Sequence, residues 1–127
     1  MKPLKIEIDQ PTIGCLLKGL ADLSTTLFAD LPETINPLFY INSAAYHLLR
    51  EVFVELRGRY IPDKLYYNLK INFPQVLVLR MLILQTQPLD AWSNAELIRI
   101  GNELDRYIIE ALRALGSYDN SRMLKLN

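Results

Sequence analysis

Leu65-Tyr66-Tyr67-Asn68-Leu69-Lys70-Ile71-Asn72-Phe73-Pro74-Gln75 is the stretch on which the fold class turns. Read at period two, Leu65, Tyr67, Leu69, Ile71 and Phe73 alternate with Tyr66, Asn68, Lys70 and Asn72, the pattern of a strand with one buried face. Read at period four, Leu65, Leu69 and Phe73 line up behind Asp63, which is suited to cap a helix. Against the strand stands Pro74-Gln75, a poor two-residue hairpin, because the favoured tight turns need a positive φ that proline cannot adopt. On its own pattern the segment stays open between the two, and its surroundings tip the balance.

Those surroundings are helical. Proline at 74 and again at 88 brackets a run of helix length, 74–87, whose apolar residues reach nearly all round, so it is expected to be internal. Ser93-Asn94-Ala95-Glu96 has the form of a capping box, after which Leu97, Ile100, Leu104, Ile108, Ala111 and Leu115 make an apolar stripe up to Gly116. Glu96 with Arg99, Arg106 with Glu110, and Glu110 with Arg113 are spaced for weak ion pairs on the outer side. Upstream, Asn36-Pro37 opens a helix over 37–58 with a stripe of Leu38, Ile41, Ala45, Leu48, Leu49, Val52, Phe53 and Leu56, and Gly58 and Pro62 stop it. From Thr12 to Leu31, Ile13, Leu16, Leu17, Leu20, Leu23, Leu27 and Leu31 recur at three and four residues, with Asp9 or Thr12 as cap. Gly14 and Gly19 weaken that helix by about 1 kcal/mol each relative to alanine; alternatively Cys15 and Gly19, one turn apart, make a smooth strip for close packing.

The expected fold is therefore all-α: one domain, 1–127, built as a bundle of four main helices near 12–30, 37–58, 74–87 and 93–115, with 1–10 and 117–127 as terminal segments. The alternative is α+β, with short strands near 4–8, where Leu4-Lys5-Ile6-Glu7-Ile8 alternates, at 64–73, and at 122–126. A chain of 127 residues that is 50% hydrophobic and 22% charged can fill one core.

The inventory narrows the chemistry. Cys15 is the sole cysteine and His47 the sole histidine, so one chain offers neither an internal disulfide nor a zinc site of three or four His and Cys ligands. The N-terminus lacks the uninterrupted apolar run of a signal peptide, and Val76 to Leu84 falls far short of the roughly 20 residues that a membrane helix needs. A cytoplasmic chain with no membrane partner is the expectation. Equal numbers of basic and acidic residues, 14 each, remove the argument for a general polyanion binder. No nucleophile elbow or glycine-rich phosphate loop occurs, and no catalytic, cofactor-binding or metal-binding residue is assigned.

Three constellations carry what functional signal there is. His47 lies one turn from Ser43, Arg50 and Glu51, a spacing compatible with proton transfer, or with pairing to Cys15 as a nucleophile; its plainer reading is a solvated helix face. Arg57, Arg59, Tyr60, Lys64, Tyr66, Tyr67 and Lys70 form the one basic and aromatic concentration, suited to core packing, to a protein interface, or to phosphates and stacked bases. Trp92, ahead of the Ser93 cap, reads as a hydrophobic staple on Leu97 or as an exposed anchor for a partner. Arg80, set inside the apolar run, needs a carboxylate or an exit to solvent. These nine residues, Arg80 and Trp92 included, make the candidate interaction surface. The expected function is a non-enzymatic interaction or assembly module acting through helix faces, on itself as a homo-oligomer or on a protein partner. A nucleic-acid accessory role through 57–70 comes second, and a small helical enzyme using His47 third.

Overall fold

The computed structural model describes residues 2–29, 37–58 and 65–126, with side chains outside the description at 26–29, 37–39, 42, 55–58 and 117–126. Four helices dominate: α1 (Gln10–Ala29), α2 (Pro37–Gly58), α3 (Phe73–Gln85) and α4 (Ala91–Leu126). They are joined by two strands, β1 (Leu4–Asp9) and β2 (Tyr66–Ile71), in an antiparallel two-stranded sheet. The bundle expectation holds, and the open stretch around 65–73 resolves as the strand of the alternative reading. Its partner is not a hairpin neighbour: Leu4 pairs with Ile71, Ile6 with Leu69 and Ile8 with Tyr67. Pro74 was no obstacle, because the chain does not turn back there but enters α3.

The sheet follows its alternation. Ile6, Ile8, Tyr67, Leu69 and Ile71 are buried, while Lys5, Glu7, Tyr66, Asn68 and Lys70 face outward. Onto the buried face pack Leu16 and Leu20 of α1, Leu49, Val52 and Phe53 of α2, Val76, Leu79 and Leu82 of α3, and Leu97, Ile100 and Leu104 of α4, as one continuous core. A two-stranded ribbon is marginal alone, so this helical cover is what stabilises it.

Helix ends explain most boundary differences. Asp9 caps α1: Thr12 donates to it from its backbone N–H (3.3 Å) and from its hydroxyl (2.6 Å). At α3 the capping box is Asn72-Phe73-Pro74-Gln75, where Gln75 N–H donates to Asn72 Oδ1 (3.1 Å) and Asn72 N–H to Gln75 Oε1 (2.9 Å). At α4 the expected Ser93 cap is corrected to Asp90, whose Oδ1 accepts the Ser93 N–H at 2.7 Å. That bond, and a second from the Ser93 side chain, hold the Asp90 carboxyl below its ordinary pKa. Ser93 is instead buried in the first turn, and Asp at the cap accepts its end amide as serine would have done.

Gly116 does not stop α4. No glycine described takes a positive φ, so the left-handed cap on which a glycine stop relies is absent there, and the helix runs on to Leu126. This corrects the expected stop at Gly116 and the alternative strand at 122–126. Two further expectations are corrected. Ile41, assigned to a buried stripe, is 64% exposed, and the run around α3 is not wholly internal, since Leu77 and Leu84 face out. The stretches 30–36 and 59–64, including Asp63, lie outside the described residues.

Gly19 is a close-packing site: a β-carbon there would stand 2.7 Å from the Thr86 hydroxyl, which donates to Leu82 O at the end of α3. Cys15, one turn earlier, is buried, whereas Gly14 faces open space.

Leu104 has no exposed surface, and Leu104→Ala is expected to cost about 2–5 kcal/mol by leaving a cavity, whereas the exposed Arg106→Ala costs under about 0.5 kcal/mol. Urea unfolding compares the two; equal losses would contradict the packing of α4. Asp9→Ala removes a cap and strands the buried Thr12 hydroxyl, for an expected loss of about 2–4 kcal/mol, read as a fall in midpoint at constant slope.

Candidate interaction surface

The residues singled out in the sequence do not form one patch. Arg59, Tyr60 and Lys64 lie outside the described residues, as does the side chain of Arg57. Tyr67 is buried in the core, whereas its neighbours Tyr66 and Lys70 project from the outer face of the sheet. Alternation along a strand forces this split, and a continuous aromatic platform for stacked bases loses one of its rings.

Trp92 is not a staple. It stands in the first turn of α4, 54% exposed, with its indole N–H donating to Asp9 Oδ2 at 3.1 Å. Its edge is thus engaged in holding α4 against the junction of β1 and α1, while much of the ring remains open to solvent.

Arg80 has found its carboxylate inside the chain. Its Nε donates to Asp105 Oδ1 at 2.8 Å and its Nη2 to Asp105 Oδ2 at 3.0 Å, a two-pronged pair between α3 and α4. Gly101 makes the approach possible, because a β-carbon there would stand 2.6 Å from Arg80 Nη1. Partial exposure of both partners limits the pair to about 1 kcal/mol or less.

Around that pair lies the apolar surface that periodicity alone did not separate from core. Leu77 and Leu84, seven residues apart on α3, are 43% and 72% exposed, and Arg80 falls between them. On α4 Ile98, Ile109 and Leu112 are about half exposed and share a stripe with Asp105. The two stripes flank the Arg80–Asp105 bridge on the outside of the α3–α4 hairpin. A shallow groove between them is lined by Arg80, Ile83, Thr86, Asn94, Ile98 and Asn102.

Beyond this stripe α4 carries charge. Arg99 donates to Glu96 Oε2 (2.7 Å) and Glu103 Oε1 (3.1 Å), and reaches the Glu7 carbonyl of β1 at 2.7 Å. The Glu96 bond holds its pKa above the ordinary guanidinium range. Tyr107 donates to the Lys2 carbonyl at 2.7 Å, so α4 side chains close the outer edge of β1.

His47 sits on the exposed face of α2, its ring edge-on to Tyr46, over a shallow open hollow with Arg50, Glu51 and Val54. Cys15 is 1% exposed within α1, so no substrate reaches its thiol and the two do not make an accessible nucleophilic pair. Among the described residues no three His, Cys, Asp or Glu side chains gather as a metal site, and no helix is long and apolar enough to cross a membrane. No family model, curated protein or solved structure matches this chain.

Gly101→Ala should displace the Arg80 guanidinium without unfolding the protein, because the helix gains about 1 kcal/mol in propensity and the ion pair is worth no more than that. Net stability should stay within about 0.5 kcal/mol. A loss several times larger would mean that the bridge is a structural keystone instead of a surface feature.

Proposed function

We propose that this chain is a non-enzymatic assembly module that associates with protein through the outside of the α3–α4 hairpin. The observation that carries it is the exposed set Leu77, Leu84, Ile98, Ile109 and Leu112 around the Arg80–Asp105 bridge. Apolar side chains scattered singly on a surface need no explanation, but two parallel stripes on adjoining helices form a contiguous patch of the kind that partners cover. An arginine at its centre, already oriented by Asp105, supplies polar registration at low ordering cost. The half-exposed Trp92 and the exposed Leu89 lie at the loop end of the same hairpin. On the other side of the comparison, the lone His47 shares only a shallow, open hollow with Arg50, Glu51 and Val54.

The purified chain is expected to self-associate or to retain a partner, with an interface of more than about 1,000 Å² in total. Light scattering over a dilution series reads it. Leu84→Lys combined with Ile109→Lys should abolish association while leaving the circular dichroism spectrum unchanged. A strictly monomeric chain that retains no partner, or association indifferent to both charges, would overturn the reading.

A further inference from the structure

The two edges of the sheet are treated differently. α4 lies along the outer edge of β1: Arg99 donates to the Glu7 carbonyl on that edge, while Tyr107 on the Lys2 carbonyl just before the strand and Trp92 on the Asp9 side chain at its end tie the two ends down. Among the described residues the far edge of β2 has no strand beside it and no backbone bond reaches it. The ladder phase identifies the open groups. Gln10 N–H donates to Leu65 O at 2.9 Å, continuing the register Leu4–Ile71, Ile6–Leu69, Ile8–Tyr67. Since bonded pairs alternate along an antiparallel ladder, the N–H and C=O of Tyr66, Asn68 and Lys70 point away from β1. The devices that usually blunt an edge, a proline, a bulge or an inward charge, are missing from Tyr66–Ile71; one lysine is present.

We infer that β2 is a docking edge on which β2 of a second copy of this chain adds in antiparallel fashion, joining two two-stranded sheets into one of four strands. A second copy fits because the edge is self-complementary. A two-fold axis at Asn68 sets Asn68 opposite its own copy and Tyr66 opposite Lys70 of the partner subunit. All three are then bonded pairs, giving about six main-chain hydrogen bonds. No lysine meets a lysine in this register: each ammonium falls beside a tyrosine ring, which attracts it. On the opposite face Leu65, 68% exposed and beyond the cover of its own core, comes opposite Ile71 of the partner subunit. One residue of slip in either direction would lose the self-pairing of Asn68 and bring core-facing positions opposite outward-facing ones. The edge rests on the assembly reading for self-association and adds a route separate from the α3–α4 face.

Amide hydrogen exchange from micromolar to millimolar protein tests it. The Tyr66, Asn68 and Lys70 amides should exchange freely when dilute and slow progressively with concentration. Asn68→Pro, which removes an outward N–H and no bond to β1, should leave the circular dichroism unchanged and eliminate that slowing. As a second probe, Asn68→Cys should yield a disulfide-linked dimer under mild oxidation, whereas Glu7→Cys on the closed edge should not; the buried Cys15 stays silent in both. Self-association with all three amides unprotected overturns the edge and leaves the α3–α4 reading standing. Protection that appears only on adding another protein overturns the second copy as occupant. Free exchange together with a monomer at every concentration overturns both readings.

Discussion

A buried carboxylate holds this fold together at one point. Asp9 is 3% exposed and accepts three hydrogen bonds, two from Thr12 and one from Trp92. It is at once the last residue of β1, the cap of α1 and the anchor for the first turn of α4. A polar group out of water is tolerated only when it is met by hydrogen-bond partners, so the three elements must arrive together for Asp9 to be buried at all. That requirement makes the node a constraint on geometry more than a large source of stability. It fixes where the strand gives way to α1 and where the first turn of α4 docks, and the residues that follow inherit their facing from it.

The node sets the sidedness of the sheet. With Trp92 tied to the end of β1, α4 runs alongside that strand, and Arg99 comes to rest on its Glu7 carbonyl and Tyr107 on the Lys2 carbonyl just ahead of it. β2 receives no such cover among the described residues. The same placement brings α3 back across α4, antiparallel and close, with Gly101 leaving room for the Arg80 guanidinium and Asp105 receiving it. Once one side of α3 is packed on the core by Val76, Leu79, Leu82 and Ile83, geometry leaves Leu77 and Leu84 outside. An apolar surface here is a consequence of a helix with more apolar residues than one core contact can hide.

Both proposed association surfaces therefore trace to one asymmetry. The proposed hairpin face is defined by exposed apolar side chains. The β2 edge is defined by main-chain groups, offers little area and demands an extended strand in one register. Surfaces that differ in this way are compatible with use by different partners at the same time, and an assembly built on both would extend beyond a simple pair.

Periodicity and punctuation were enough to find four helices, because apolar spacing is local and every helix here satisfies its own backbone. α2 begins at Pro37 and ends at Gly58 as its residues imply, and Asp9 was recognisable as a cap. The Asn72 to Gln75 box and the Asp90 cap had equally local signals, an Asn or Asp three residues ahead of its partner amide, and were hidden by more conspicuous neighbours in Pro74 and Ser93. What no local pattern contained was pairing at a distance. Whether 65–73 is helix or strand depends on Leu4 to Asp9, some sixty residues earlier, and a strand has no partner until the fold supplies one. Nor does a stripe of leucines announce which of its members stay in water. Tyr67 is core and Tyr66 surface, Leu79 core and Leu77 surface, and Arg80 is neutralised inside its own chain, all by contacts that exist only after α3 and α4 have met. The sequence by itself thus determined the elements, whose forces act within a few residues; the tertiary structure alone decided their faces, edges and pairings, because burial is a property of what lies on the other side.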